Sequence, residues 1–124
     1  MEAIDINEIE EFQNSKIVKK VPILTEQLIV ENLFIDTNTN SAPHAHKDAD
    51  EIVYVIKGTG KISIDNDSYP IKEGMSIFVP KSKRHNFSTS KERLIILSIR
   101  INPIPDNIKN RDLKLKNETS SREG

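Results

Sequence analysis

The sequence predicts an all-β domain, and three observations carry that prediction. From Thr37 onward, clusters of turn-forming residues recur at short intervals, as in a β-barrel or sandwich. Between two of them, Lys61 to Asp65 alternates polar and apolar residues and sets Ile62 and Ile64 on one face. No helical periodicity interrupts the series, which argues against a parallel βαβ fold.

Element by element, the chain opens with Asp5-Ile6-Asn7-Glu8, an acidic residue with Glu three positions on, followed by Ile6, Ile9 and Phe12 at near-helical spacing. These residues predict a short helix from about Asn7 to Gln13. Lys16 to Leu24 is β-branched and broken by Pro22, so it reads as an edge strand or extended arm. Leu28 to Ile35 is the next strand, and Thr37 to Pro43 is a turn rich in Thr, Asn, Ser and Pro. Ile52 to Ile56 is a strand, ended by Gly58-Thr59-Gly60. Lys61 to Asp65 follows, then a hairpin turn at Asn66-Asp67-Ser68 and a strand from Tyr69 to Ile71. Lys72-Glu73-Gly74 turns again, Met75 to Val79 is a strand stopped by Pro80, and Lys81 to Arg84 is a basic turn. His85 to Thr89 and Leu94 to Ile101 complete the set. The last is an almost continuous apolar run, the pattern of a strand covered on both faces. Residues 102–124 begin with two prolines and continue polar, so a short docked segment and a partly disordered tail are expected there.

Bulk composition narrows the function classes. The 124 residues suit one domain. Eighteen basic and nineteen acidic residues nearly cancel, which points neither to nucleic acid nor to an anionic membrane. With no cysteine, disulfides and thiolate metal sites are excluded. The acidic start lacks an apolar stretch, and no apolar run is long enough to span a bilayer; the expected location is the cytoplasm.

The chemistry-bearing residues form one pattern. All three histidines fall in His44-Ala45-His46 and, about forty residues later, His85; Glu51 stands close behind the first pair. Histidines at i and i+2 on a strand share a face. A carboxylate and a third imidazole would complete a four-ligand site for one divalent transition metal, Fe, Mn, Ni, Zn or Cu. Asp50 is a rival carboxylate; Asp48 and Asp50 read as solvated rim residues. If Glu51 points inward, Val53 and Val55 do too and Tyr54 points away; if His85 points inward, so do Phe87 and Thr89. The pocket wall is therefore expected to be mostly apolar. Arg100 follows an apolar run: pairing with a buried acid or a substrate is one reading, and a surface arginine with its stem along the apolar run is the favoured one.

Two blocks make the pattern sharper: His44-x-His46-x4-Glu51-x6-Gly58 and Gly74-x5-Pro80-x-Ser82-x2-His85. They resemble the paired motifs of the cupin superfamily, over roughly Leu28 to Ile101. The resemblance implies a single cupin double-stranded β-helix (jelly-roll) barrel over 28–101. An N-terminal helix and arm strand (1–27) would precede it, and a C-terminal segment (102–124) would follow. It implies His44, His46, Glu51 and His85 as metal ligands, and a homodimer in which the arm around Ile17 to Leu24 packs across the partner. Three positions depart from the family pattern. Asn38 and Ser82 stand where glycines are usual, and Thr89 where asparagine is common; Asn and Ser both suit turns.

Small cupins include dioxygenases, isomerases, decarboxylases and lyases, so the resemblance implies a small metalloenzyme acting on a small oxygenated organic molecule. The alternative is a non-catalytic small-ligand binding or sensor barrel. Fold and ligand set do not choose the reaction, the substrate or the metal. Three neutral imidazoles and one carboxylate leave a divalent ion with about one positive charge, which favours anionic or oxygen-donor ligands.

Overall fold

The computed structural model describes residues 3–101. The expected docked segment and tail at 102–124 lie outside the described residues. A four-residue helix α1 (Ile6–Ile9) precedes seven strands: β1 (Ile17–Leu24), β2 (Leu28–Ile35), β3 (Glu51–Ile64), β4 (Asp67–Lys72), β5 (Ser76–Val79), β6 (His85–Ser88) and β7 (Leu94–Ile101). Asp5 caps α1 by accepting from the Asn7 amide. The helix is shorter than the spacing predicts, because Phe12 is held by tertiary contact instead: its ring meets Phe34 edge-on at 5.8 Å and lies under the Arg93 guanidinium.

Every strand pairing is antiparallel. The main path runs β1-β2-β7-β3-β4, with β5 and β6 also pairing with β3. β3 is the organising element. Its first half pairs with β7 and β5, and its second half with β4 and β6. The sequence predicts two strands here, ended and restarted around Gly58-Thr59-Gly60; one 14-residue strand runs through instead. A register shift between Val55 and Lys57 bends it, and Gly58 takes φ +91°. A Cβ at Gly58 would lie 1.9 Å from the Arg93 carbonyl oxygen, so only glycine lets β3 pass that close to its neighbour. The glycine therefore marks a kink where β3 changes partners, not a strand end.

The core lies between the two halves. Ile35, Val53, Val55 and Ile96 come from one sheet and Ile62, Ile71 and Phe87 from the other, all buried together. Full burial of each such side chain stabilises by about 1.5–3 kcal/mol against exposure. The parity expected for β3 holds: Glu51, Val53 and Val55 are buried while Ile52 and Tyr54 are exposed. The left-handed turns hold as well, with Asn38 at φ 49° and Ser82 at φ 70°.

The outer face of the first sheet is unusually apolar. Ile23, Val30, Ile99, Ile52 and Phe78 are successive cross-strand partners, one from each of five strands. Ile23, Ile52 and Phe78 are exposed. β1 forms the sheet's outer edge and pairs with β2 of its own chain.

Candidate metal centre

The three histidines and Glu51 converge at one end of the barrel. His85 opens β6 and His44 faces it across an isolated β-bridge, with the two backbones exchanging hydrogen bonds of 3.1 and 2.8 Å. His44 and His46 lie in an extended loop and not in a regular strand, but the alternation survives. Their ring centroids are 5.0 Å apart, and those of His44 and His85 are 4.3 Å apart. The turn at Ser82 anchors His46, because the Ser82 amide donates to the His46 carbonyl. Ligand-capable nitrogens of all three rings lie within 4.8 Å of one another.

Glu51 completes the cluster. Its Oε1 lies 3.2 Å from His85 Nε2 and 3.4 Å from His46 Nε2. Both Glu51 Oε1 and His85 Nε2 are buried with no hydrogen-bond partner among the described residues. Two buried lone-pair atoms, this close and with no hydrogen bond between them, converge on a common point. Ligands bound at about 2.1 Å sit roughly 3.0–3.4 Å apart around one ion, so the spacing fits co-ligation. The residues present therefore fit a metal ion. Asp50, the rival carboxylate, is turned elsewhere and accepts from the Lys81 amide at 2.8 Å.

A second layer orients these groups. His85 Nδ1 is 3.2 Å from the Lys83 carbonyl and His44 Nδ1 is 3.5 Å from the Ala42 carbonyl. Such contacts place the proton on Nδ1 and leave Nε2 free to ligate. Ser98 Oγ donates to Glu51 Oε2 and leaves Oε1 for the centre. Thr89 ties the loop ahead of the histidines to the barrel: its hydroxyl accepts from the Thr39 amide and donates to the Asp36 carbonyl.

In the metal-free site, burial and neighbouring charges shift the three imidazoles in opposite directions. Burial pushes His44 and His46 below the usual imidazole value, with His85 reinforcing this at His44 and Arg100 at His46. For His85, burial is the largest influence and acts downward, but contact with Glu51 and the Lys83 carbonyl outweighs it and holds the ring above its usual value. For Glu51, burial acts upward most strongly, yet His85 and Ser98 bring the carboxyl below its usual range.

The cavity above these residues measures about 260 Å³. Its wall is mostly apolar, as the sequence suggests, with Ile17, Leu33 and Phe87 among its residues, but Lys19, Glu31 and Arg100 share it. Arg100 is not a surface residue. It stands opposite Glu51 in the β3–β7 register, so it points inward with Ser98 and Ile96, and its side chain is 13 % exposed. Its Nη1 lies 2.8 and 2.7 Å from the two ring nitrogens of His46, and its Nη2 is 3.5 Å from Glu31. Parity along β7 could have identified Arg100; an apolar run hides it.

A larger cavity, about 750 Å³, lies by the other sheet against Thr59, Lys61, Ile71, Lys72 and Ser88. No histidine or carboxylate lines it.

Comparison with known proteins agrees with this architecture. Residues 34–100 match the model of the cupin domain family. An uncharacterized protein of Aquifex aeolicus is 26 % identical over 99 residues, covering 77 % of this chain and 82 % of its own. The structure of TT1209 from Thermus thermophilus superposes with a TM-score of 0.76 at 17 % identity, over 84 % of this chain and all of that one. A provisionally assigned sugar phosphate isomerase from Acidithiobacillus ferrooxidans is 29 % identical with a TM-score of 0.56, over 62 % of this chain and 51 % of its own. Among the described residues no helix is long and apolar enough to cross a membrane.

Proposed function

The chain belongs to the cupin domain family, and on that premise we propose that it is a small metalloenzyme of the cytoplasm acting on a small oxygenated organic molecule. His44, His46, Glu51 and His85 would hold one divalent transition metal. The observation that carries this reading is the orphaned pair of buried atoms, Glu51 Oε1 and His85 Nε2, placed 3.2 Å apart beside two further imidazoles. A bound metal would supply Lewis acidity and, if iron or manganese, the capacity to handle oxygen. The protein's own share is orientation and exclusion. Ser98, Lys83 and Ala42 fix the ligating atoms, and Ile17, Leu33 and Phe87 keep the cavity partly dry. At about 260 Å³ the space suits a molecule of a few heavy atoms.

An isomerase-like or decarboxylase-like reaction on a hydroxy-carbonyl compound fits this space, and the similarity to the Acidithiobacillus ferrooxidans protein supports the isomerase branch. Elemental analysis of untagged protein prepared without chelator tests the reading. About one equivalent of Fe, Mn, Ni, Zn or Cu is expected. No metal as purified, and none taken up on titration at neutral pH, would overturn it.

We also propose a homodimer. The support is the apolar row from Ile23 to Phe78 together with the outer edge at β1, since a contiguous exposed apolar sheet face marks an interface. Light scattering at micromolar concentration should give twice the chain mass of 14.1 kDa. A monomer would rule the dimer out.

A further inference from the structure

Among the described residues, Arg100 is a largely buried charged group that is poorly satisfied. Its Nε is buried with no hydrogen-bond partner, and its Nη2 reaches Glu31 only at 3.5 Å. Glu31 is in turn shared with Lys19, again at 3.5 Å. The remaining contact, from Nη1, is to His46. That contact needs an acceptor nitrogen, and a neutral imidazole has one. A metal bound to His46 takes it, and the other ring nitrogen then carries the proton. Loading the centre therefore strips Arg100 of its best acceptor while leaving the guanidinium beside the cavity. A buried guanidinium fork without acceptors is costly, and a paired oxyanion is the group that fits it.

We propose that Arg100 anchors a terminal oxyanion of the ligand, a carboxylate or a phosphate. In this arrangement a metal held by the four proposed ligands would be left to polarise the ligand's hydroxyl or carbonyl oxygens, and Glu31 backs the guanidinium at 3.5 Å. The substrate class narrows accordingly, from oxygenated molecules in general to small hydroxy or oxo compounds with an acidic end. This rests on the metal centre proposed above. Lys19 is more than half exposed and adds field but no fixed contact to the anion.

A matched set of probes tests the idea. Protein loaded with Co(II) is titrated with glycerate, glycerol 3-phosphate and uncharged glycerol, following heat and the visible absorption of the bound cobalt. Saturable binding of glycerate or glycerol 3-phosphate, at least tenfold tighter than glycerol, is expected, and the tighter of the two identifies the anion. Arg100→Gln should keep one equivalent of cobalt yet weaken the preferred anion at least tenfold. Arg100→Lys, which keeps the charge but not the fork, should fall between. Thermal unfolding of each variant establishes that it is folded. Anion affinity unchanged in folded, cobalt-loaded Arg100→Gln overturns the inference. So does equal affinity for glycerol and both anions in the wild type. Failure of the wild type to bind cobalt is a different result: it removes the metal centre, and this inference with it.

Discussion

Two of the cavities of this barrel, the one at the histidines and the one against Thr59 and Lys72, differ in a way that volume alone would misjudge. The larger, about 750 Å³, is lined by lysines, hydroxyls and aliphatic groups whose polar atoms reach solvent. The smaller, about 260 Å³, gathers three imidazoles, two carboxylates and a guanidinium. Reactivity follows from convergence: buried donors and acceptors that leave one another unsatisfied define a point where something else must bind. Space without convergence is a groove between sheets.

The sharpest way to break this contrast is to remove His44 and His46 together. The His44→Ala, His46→Ala variant should lose stoichiometric metal by elemental analysis while its circular dichroism stays that of a β protein. Unfolding of that variant would instead assign the metal a structural role. The next largest effect concerns the kink that separates the two cavities. Gly58→Ala should destabilise by about 3 kcal/mol or more in urea unfolding, since a Cβ there meets backbone at 1.9 Å on top of the φ strain. Gly74 has nearly the same φ, but its added Cβ meets nothing within 4 Å. Gly74→Ala should therefore cost about 1 kcal/mol, the conformational strain alone.

A smaller effect separates the cavities by pH. In metal-free protein the His85 value is raised above 6.5, so its contribution to stability is complete below about pH 6.5 and is lost as pH rises through the folded value. His44 and His46 are lowered and work in the opposite sense, losing their contribution as pH falls below about 6.5. Comparing wild type with His85→Gln reads the first term together with the shifts His85 imposes on His44 and Glu51. The gap in melting temperature between the two proteins should be wider near pH 6 than near pH 8. Metal affinity should fall with pH in either protein, because protons compete for the imidazoles. The smallest effect is the control: Lys61→Ala with Lys72→Ala, on the larger cavity, should leave metal content unchanged and stability within about 0.5 kcal/mol.

Much of this was legible in the chain. β2 and β7 run over the spans that their apolar patterns indicate. Glu51 and His85 face inward as period-two alternation requires. Local pattern failed where long-range geometry decided the outcome. Gly58 carries the same signal whether a strand stops or kinks, and only the close pass of Arg93 distinguishes the two. Glu31 and Arg100 sit in apolar surroundings whose hydrophobicity outweighs one charge in any window. Their meeting across 69 residues has no local trace. The four proposed ligands were found because spacing within each block is local, even though the blocks are far apart.

The position of β7 has a consequence for biosynthesis. It supplies Ser98 against Glu51 and Arg100 against His46, and it is the last described strand to leave the ribosome. Until it docks between β2 and β3, a nascent chain can offer the histidines and Glu51 but neither the hydroxyl that steers the carboxylate nor the guanidinium that screens His46. The orientation that the proposed ligands show in the folded structure therefore belongs to the finished barrel, and an immature chain would offer them without it.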